Sequence, residues 1–289
     1  RQNFENLYES AAEFCNPSAD NIQSKRSKGQ RDDVQRITDV GIKARRMFTA
    51  GMMSHLFPQG QNWIRVVPQN RDLQQSDNVV RALSSVTKKF VRAIEDSNFY
   101  EEMSQCIDHC GYIGTTALYC EPTKSRTLNF RSHYINQFFF CENYLGEVDT
   151  VIREFKLTAR QALQQFGDDC PKAIADYANQ PSTSSKEFVF IHIVMPRQNF
   201  VPDSLEKKEK RIASYYISLT GKELVRESGF DEMPYSVARF YKTNYEKYGR
   251  SPALEVFSTM PLINRMEVSR IRGAERVSNP PWLAPNDGS

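Results

Sequence analysis

The amino-acid sequence predicts an α+β fold in which long helices, short strands and a further long helix follow one another along the chain. Three or four helices are expected within the first 110 residues, because apolar residues recur there at helical spacing. Residues 115–155 then show short strand-like runs separated by turn residues. Residues 186–241 are expected to form a small antiparallel β unit, and residues 251–278 a long helix.

The first part of the chain is predicted to be mainly helical. The four expected helices cover residues 2–14, 32–56, 72–97 and 99–110. Asp32 is the expected N-cap of the second helix, and Pro58 with Gly60 ends it.

Strands and short helices are predicted for the middle of the chain. The strands are expected at residues 115–120, 128–130, 138–141 and 148–155. Thr158 is the expected cap of a helix that ends at Gly167, and Pro171 lies in the first turn of the next one. Residues 181–185 have the composition of a linker.

The antiparallel unit predicted after this linker begins with a strand at residues 187–194. Its side chains are apolar on both faces, so we expect both faces to be buried. The charged run at residues 206–211 is expected to be a hairpin tip or loop. Further strands are predicted at residues 212–218, 223–227 and 235–241.

The last helix is predicted to begin at Ser251, with Ser251 as its cap and Pro252 in its first turn. Helical spacing of apolar residues continues to about Ser278, which corresponds to a rod of roughly 40 Å. Pro261 lies inside this run and is expected to kink the helix or divide it into two pieces.

Composition bounds the functional classes. The 289 residues allow one large domain or two ordinary ones. No apolar run is long enough to span a bilayer, and no signal peptide is expected. With 38 basic and 35 acidic residues, the net charge of +3 is not that of a strongly basic DNA-binding domain. Any contact with DNA must therefore arise from a local arrangement of charges.

Residues capable of catalysis or metal binding are scattered. Cys106 and Cys110 flank His109, but no second Cys or His pair stands at zinc-site spacing, so ordinary thiols are expected. Phosphate-loop, nucleophile-elbow and zinc-protease motifs do not occur. The four histidines lie far apart, and lone histidines in the positions of His55 and His192 are expected to be satisfied core residues. We therefore expect no catalytic residues, no metal, no cofactor and no enzymatic activity.

Four segments in a fixed order carry a resemblance to a known family. They are residues 51–58 (Gly-Met-Met-Ser-His-Leu-Phe-Pro) with the following Asn-Trp-Ile at 62–64, residues 111–119, residues 248–254 (Tyr-Gly-Arg-Ser-Pro-Ala-Leu) and residues 279–288. In this order they resemble the portal (head-to-tail connecting) proteins of short-tailed, podovirus-type bacteriophages.

The resemblance implies a ring, expected to be a dodecamer, at one capsid vertex of the virion. Double-stranded DNA would be packaged and ejected through it without sequence specificity. Its implied partners are the terminase motor, the capsid protein and a tail adaptor, with no membrane and with assembly in the host cytoplasm. Family members continue beyond the proline-rich segment with a channel loop, more wing helices and a crown or barrel.

The resemblance also implies a division of the chain. Residues 1–157 would form the wing, 158–185 short helices and a linker, 186–248 the clip, and 249–289 the stem helix with the start of the channel-loop region. Metal-dependent nucleic-acid enzymes and non-portal head-tail adaptors are the alternative interpretations.

If the last helix lines a channel, its arginines are the candidate DNA-facing residues: Arg265, Arg270, Arg272 and Arg276. They alternate with Glu255, Glu267 and Glu275, and mixed charge favours sliding over trapping of DNA. The alternative is a solvated face with local ion pairs. The apolar stripe of this helix is expected to pack against neighbouring subunits.

The basic residues of the charged run are candidates for contact with a partner: Lys207, Lys208, Lys210 and Arg211. Two interpretations stay open for them. The run forms either a solvated hairpin or a rim of the clip that meets the terminase motor or a tail adaptor.

Overall fold

The computed structural model describes residues 2–19, 22, 38–70, 73, 76–123 and 127–280. Helices and strands mix along the chain, as the α+β prediction requires. The helices are α1 (Gln2–Cys15), α2 (Val40–Leu56), α3 (Asp77–Glu95), α4 (Phe99–Tyr112), α5 (Ala159–Phe166), α6 (Lys172–Ala178), α7 (Pro252–Glu255) and α8 (Thr259–Ser278). None of these described helices combines the length and apolar character needed to cross a lipid bilayer.

The strands are β1 (Thr115–Glu121), β2 (Asn129–His133), β3 (Phe138–Glu142), β4 (Val148–Thr158), β5 (Glu187–Pro196), β6 (Ile212–Ser218), β7 (Glu223–Phe230) and β8 (Tyr235–Arg239). They form two antiparallel sheets. The three-stranded sheet has the order β2-β1-β8, and the five-stranded sheet has the order β3-β4-β5-β6-β7.

Helices α5 and α7 begin at residues whose side chains cap them. Thr158 caps α5 through a reciprocal capping box with Gln161, and Gly167 follows the helix with a φ of +58°. The Ser251 side chain accepts a hydrogen bond from the Leu254 amide at the start of α7. These boundaries confirm the predicted caps of both helices.

Helix α2 begins later than predicted. It starts at Val40, and the two residues before it are not helical, so a continuous helix from Asp32 is wrong. Asp32 itself, like the segment after Pro280, lies outside the described residues.

The layers follow the order helices, three-stranded sheet, five-stranded sheet. Helix α4 covers the outer face of the three-stranded sheet, where Cys106 Sγ lies 3.3 Å from Ser132 Oγ. The other face of that sheet packs on the five-stranded sheet, and Tyr235 Oη lies 3.0 Å from His192 Nδ1 between them. Helices α5 and α6 cover the rest of the inner face of the five-stranded sheet, where Phe166 packs on Phe190.

The predicted self-contained β unit at residues 186–241 needs correction. Strands β5, β6 and β7 do pair with one another, but β5 also pairs along its length with β4. Strand β8 belongs to the other sheet, where it pairs with β1. Strands from both sides of the 181–185 segment therefore belong to one sheet. Consecutive strands along a chain commonly pair in this way.

The prediction that β5 is buried on both faces is wrong. One face holds the buried side chains of Phe188, Phe190, His192 and Val194. The alternating residues between them are only half-buried, because the described part of the chain places its layers on one side of the sheet.

The terminal rod is divided, as Pro261 suggested. The chain turns at residues 256–258, and Pro261 falls in the first turn of α8, where a missing N–H is tolerated. Helix α8 has 20 residues, so the straight piece is about 30 Å long and the predicted 40 Å rod is too long.

Candidate functional site

Two glycine-bearing segments meet at the root of α7 and α8. Gly114 has a φ of +90°, and a Cβ added to it would stand 2.6 Å from the Arg250 carbonyl oxygen. A Cβ on Gly249 would clash with the Gly114 carbonyl oxygen. Only glycine allows these two backbones to approach so closely. We call this contact, formed by Gly114, Thr115, Gly249 and Ser251, the glycine clasp.

Hydrogen bonds complete the glycine clasp. Thr115 Oγ1 accepts a 2.8 Å hydrogen bond from the Gly249 amide, and Ser251 Oγ donates a 2.8 Å bond to the Tyr112 carbonyl. Tyr8 of α1 donates its hydroxyl to the Gly249 carbonyl at 3.0 Å, and burial raises the pKa of Tyr8 far above its usual value. Three distant parts of the chain therefore fix the point from which α8 departs.

Helix α8 itself has little contact with the rest of the described chain. None of its residues is buried, and Asn264 Oδ1 accepts a 3.4 Å hydrogen bond from the Thr38 amide. Before the helix, Phe257 packs edge-on against Phe14 of α1. Helix α8 is therefore anchored at its root and open over most of its surface.

The four candidate arginines do not share one face. At about 100° per residue, Arg265, Arg272 and Arg276 fall within about 40° of one another around α8. Arg270 lies about 120–160° away from them. It forms an i, i+3 ion pair with Glu267 at 3.0 Å. The structure therefore groups three of the predicted residues into an arginine stripe and separates the fourth.

An apolar stripe runs beside the arginine stripe. Leu262, Met266 and Val277 are 56%, 63% and 83% exposed. The same helical periodicity places these three side chains on one side of α8. So large an exposed apolar row on an isolated helix is typical of a surface that another chain covers.

The basic residues of the charged run at residues 206–211 also differ in their surroundings. It lies in the connection between β5 and β6, where a short 3-10 turn spans Lys207–Glu209. Lys210 forms an ion pair with Asp231. Lys207 and Lys208 are exposed and make no ion pair within the described residues. The prediction of a loop is confirmed, and two of its lysines are open to solvent.

The loop is held in place rather than loose. Ser204 Oγ donates to Glu209 Oε2 at 2.6 Å, and the Val201 amide donates to the Glu209 carbonyl at 3.0 Å. The Arg197 amide donates to the Arg211 carbonyl at 2.9 Å, while Arg211 itself is exposed. The lysines therefore occupy defined positions on the surface.

A polar row inside the five-stranded sheet was not predicted. Arg153, His192 and Tyr216 are paired across β4, β5 and β6, at the boundary between the two apolar cores. His192 lies between Tyr235 Oη and Ser214 Oγ, 3.0 and 2.9 Å away, and is stacked on Tyr216 at 4.1 Å. Burial, with a smaller contribution from Arg153, lowers the pKa of His192 to about 3. His192 is therefore a satisfied core residue, as expected. The same expectation is wrong for His55, which is exposed near the end of α2.

The chain matches known phage proteins. The family model for "Bacteriophage head to tail connecting protein" covers residues 1–289. The chain belongs to this family. It is 24% identical over 289 residues to the portal protein of Salmonella phage epsilon15, covering 99% of this chain and 52% of that protein. It is 24% identical over 263 residues to the probable portal protein of Bordetella phage BPP-1, covering 90% and 47%.

The chain thus spans about half the length of these curated relatives. Within this head-to-tail connecting chain, two of the four segments that carried the resemblance meet in space. Segments 111–119 and 248–254 form the glycine clasp. In the segment around Pro58, Phe57 packs on Trp63 at 4.9 Å and on Phe99 at 5.5 Å.

Groups of three or more potential metal ligands do not occur among the described residues of this family member. Its Cys106 and Cys110 are instead buried or half-buried thiols in α4, and burial raises the pKa of both. A raised thiol pKa disfavours the thiolate that binds metal or attacks a substrate. The expectation of ordinary thiols agrees with this chemistry.

Proposed function

We propose that this chain is part of a phage portal subunit, which joins head to tail and forms a ring through which double-stranded DNA is packaged and ejected. The observation that carries the proposal is the family match over residues 1–289, supported by relatives named portal proteins. In this proposal, residues 2–248 form the body of the subunit and α8 projects from the glycine clasp toward the channel.

The arginine stripe is the part of α8 proposed to face DNA. Arg265 and Arg276, with Arg272 between them, are eleven positions apart, which corresponds to about 16 Å along the helix. DNA carries a charge every ~1.7 Å, so three separated cations per subunit attract the backbone without forming a continuous basic sleeve. Contacts to phosphate alone carry no sequence information, which suits passage of a whole genome. Arg270, held by Glu267, has no part in this face.

The proposed assembly is a ring, with twelve copies as the expected number. Its proposed partners are the capsid protein, the terminase motor and a tail adaptor, and its proposed location is the portal vertex of a virion assembled in the host cytoplasm. Lys207, Lys208 and Arg211 are the proposed partner-contact residues of the basic loop. Lys210 is left out, because its ammonium group is committed to Asp231.

The arginine stripe is tested in phage that carry the complete protein. We expect the triple variant R265E/R272E/R276E to assemble normally and to package at least about tenfold less DNA, because like charges repel phosphate. R272E alone should show a smaller defect. R270E is its matched control, because Arg270 lies about 160° from Arg272 around the same helix, and native mass verifies that its ring still assembles beside the apolar stripe. Normal packaging by the triple variant would contradict a DNA-facing stripe.

Electron micrographs and native mass of the purified complete protein test the wider proposal. A ring with a through-channel and about twelve copies is expected. A ring of different copy number without a channel would identify a head-tail adaptor instead. Cleavage of DNA that depends on divalent metal would indicate a nucleic-acid enzyme and overturn the structural role.

A further inference from the structure

The outer face of the five-stranded sheet is apolar and open. Cross-strand pairing places Phe139, Ile152, Ile193 and Tyr215 in one row. The adjacent row holds Glu154, Ile191, Ile217 and Leu224. All eight side chains are half-buried or exposed, in contrast to the buried row on the opposite face of β5. We call these eight residues the outer sheet face.

This surface is large for one that faces water. Five strands spaced ~4.8 Å apart, with two residues of rise between rows, give it a footprint on the order of 300–400 Å². A patch of this size matches the largest apolar patch on a typical soluble monomer, and such patches are often functional. The outer sheet face is therefore expected to be covered in the assembled protein.

Helix α3 presents a second uncovered apolar surface. Its buried side is formed by Thr87, Val91 and Ile94. Val86 and Phe90 lie on a neighbouring flank and are 50% and 43% exposed. At about 100° per residue, Val79, Ala82 and Ala93 fall on this same flank. The flank is thus an apolar stripe of small and medium side chains, which suits packing on a sheet.

The two surfaces belong to different layers of the subunit. Helix α3 contacts α4, and α4 lies on the three-stranded sheet, whose other face packs on the five-stranded sheet. A ring of identical subunits needs two different, complementary patches on each copy, one for each neighbour. The outer sheet face and the α3 flank meet this requirement.

We propose that the outer sheet face receives the apolar flank of α3 from the next copy of this chain. The proposal rests on the ring proposed above and names the surfaces that build it. Helix on sheet is a standard way to bury one apolar face against another. Each subunit then gives its α3 to one neighbour and its sheet to the other.

Charge complementarity supports this pairing. Glu154 is exposed within the outer sheet face, and Lys89 is exposed at the border of the α3 flank. Neither side chain makes an ion pair within the described part of the chain. The other charges on this face of the sheet are paired within the subunit, Lys156 with Glu187 and Glu227 with Arg197. The Glu154 carboxylate and the Lys89 ammonium group are therefore suited to meet across the interface and to fix its register.

Charge reversal in the complete protein tests the contact. E154K and K89E each bring like charges together at every interface, so each should weaken ring association by about tenfold or more, as measured by native mass and sedimentation. The double variant E154K/K89E should assemble like the wild type. An equimolar mixture of the two single variants should also assemble, because attractive pairs then form at each contact in alternating order.

K88E is the matched control, because Lys88 lies on the same helix about 100° away from Lys89. Circular dichroism of the variants verifies that all of them fold. Normal assembly of both single variants, or a defect rescued neither by the double variant nor by the mixture, would overturn the interface. Rings that assemble normally but fail to bind a capsid or tail protein would assign the sheet face to that protein instead. A wild type that forms no ring would overturn the portal proposal together with the interface.

Discussion

The body of the chain, by which we mean the described residues between 2 and 248, and helix α8 differ in how far their side chains are buried. In the body, Tyr8, Phe138 and Val194 from α1, β3 and β5 are fully buried in one apolar cluster. In α8, no residue is buried and apolar side chains such as Val277 face solvent. The body is stabilised by contacts within the chain, whereas the exposed surface of α8 is suited to contact another molecule.

The glycine clasp joins these two regions, and like the body it is stabilised by buried contacts. Its hydrogen bonds, from Gly249 to Thr115 and from Ser251 to Tyr112, are buried and link residues more than 130 positions apart. Helix α8, which follows α7 and the turn at residues 256–258, has no buried residue. This arrangement anchors the root of α8 and leaves most of its surface open, as the proposed contact with DNA requires.

The same substitution should have opposite effects in the two regions. Gly114→Ala adds a Cβ at a φ of +90° and within 2.6 Å of the Arg250 carbonyl oxygen. We expect it to lower the free energy of unfolding by at least ~3 kcal/mol, because backbone strain and overpacking add. Thermal or urea unfolding measures this change.

Gly273→Ala in α8 is the matched control. A Cβ there meets no atom within 4 Å, so alanine should stabilise the helix by about 0.5–1 kcal/mol. Equal effects at the two glycines would contradict the distinction between a strained clasp and an open helix.

Acid should weaken the body through His192. Its pKa is lowered to about 3 by burial, whereas an unfolded histidine titrates near pH 6.5. Between these values the unfolded chain binds the extra proton, so stability falls as pH falls below about 6.5, by up to ~1.4 kcal/mol per pH unit. Arg153 adds to the cost of protonation.

Unfolding curves from pH 7 to pH 4 check this dependence. His192→Asn should be less stable at pH 7 but should have a flatter profile, and Ser214→Ala, which keeps the imidazole, should retain the slope. An unchanged slope in His192→Asn would show that other groups cause the acid sensitivity.

Local elements of this chain could be predicted from the sequence, because their signals are local. The apolar spacing of α1 and the Thr158 capping box of α5 each lie within a few residues. The partners of strands could not be predicted in this way. The pairing of β8 with β1 joins residues over 110 positions apart, and neither strand carries a pattern that selects the other.

The candidate site shows the same limit. Helical periodicity alone predicts that Arg265, Arg272 and Arg276 lie on one side of the helix, even though acidic residues alternate with them along the sequence. The sequence shows the two glycine-bearing segments of the glycine clasp separately. Their contact could not be predicted, because neither segment carries a pattern that selects the other. His192 and Tyr235 likewise lie on strands of different sheets, so their contact depends on packing.

The smallest expected effects concern α8, and they sharpen the contrast with its root. Ser251→Ala removes both the cap of α7 and the bond to the Tyr112 carbonyl, so it should cost about 1–2 kcal/mol of unfolding free energy. Arg270→Gln removes an exposed ion pair with Glu267 and should cost no more than about 0.5 kcal/mol. Unfolding of both variants at low and high salt separates the two causes, since only the ion pair is screened.

A large, salt-sensitive loss in Arg270→Gln would mean that ion pairs within α8 stabilise the helix. The absence of such a loss, beside a clear loss in Ser251→Ala, would place the attachment of the helix at its root.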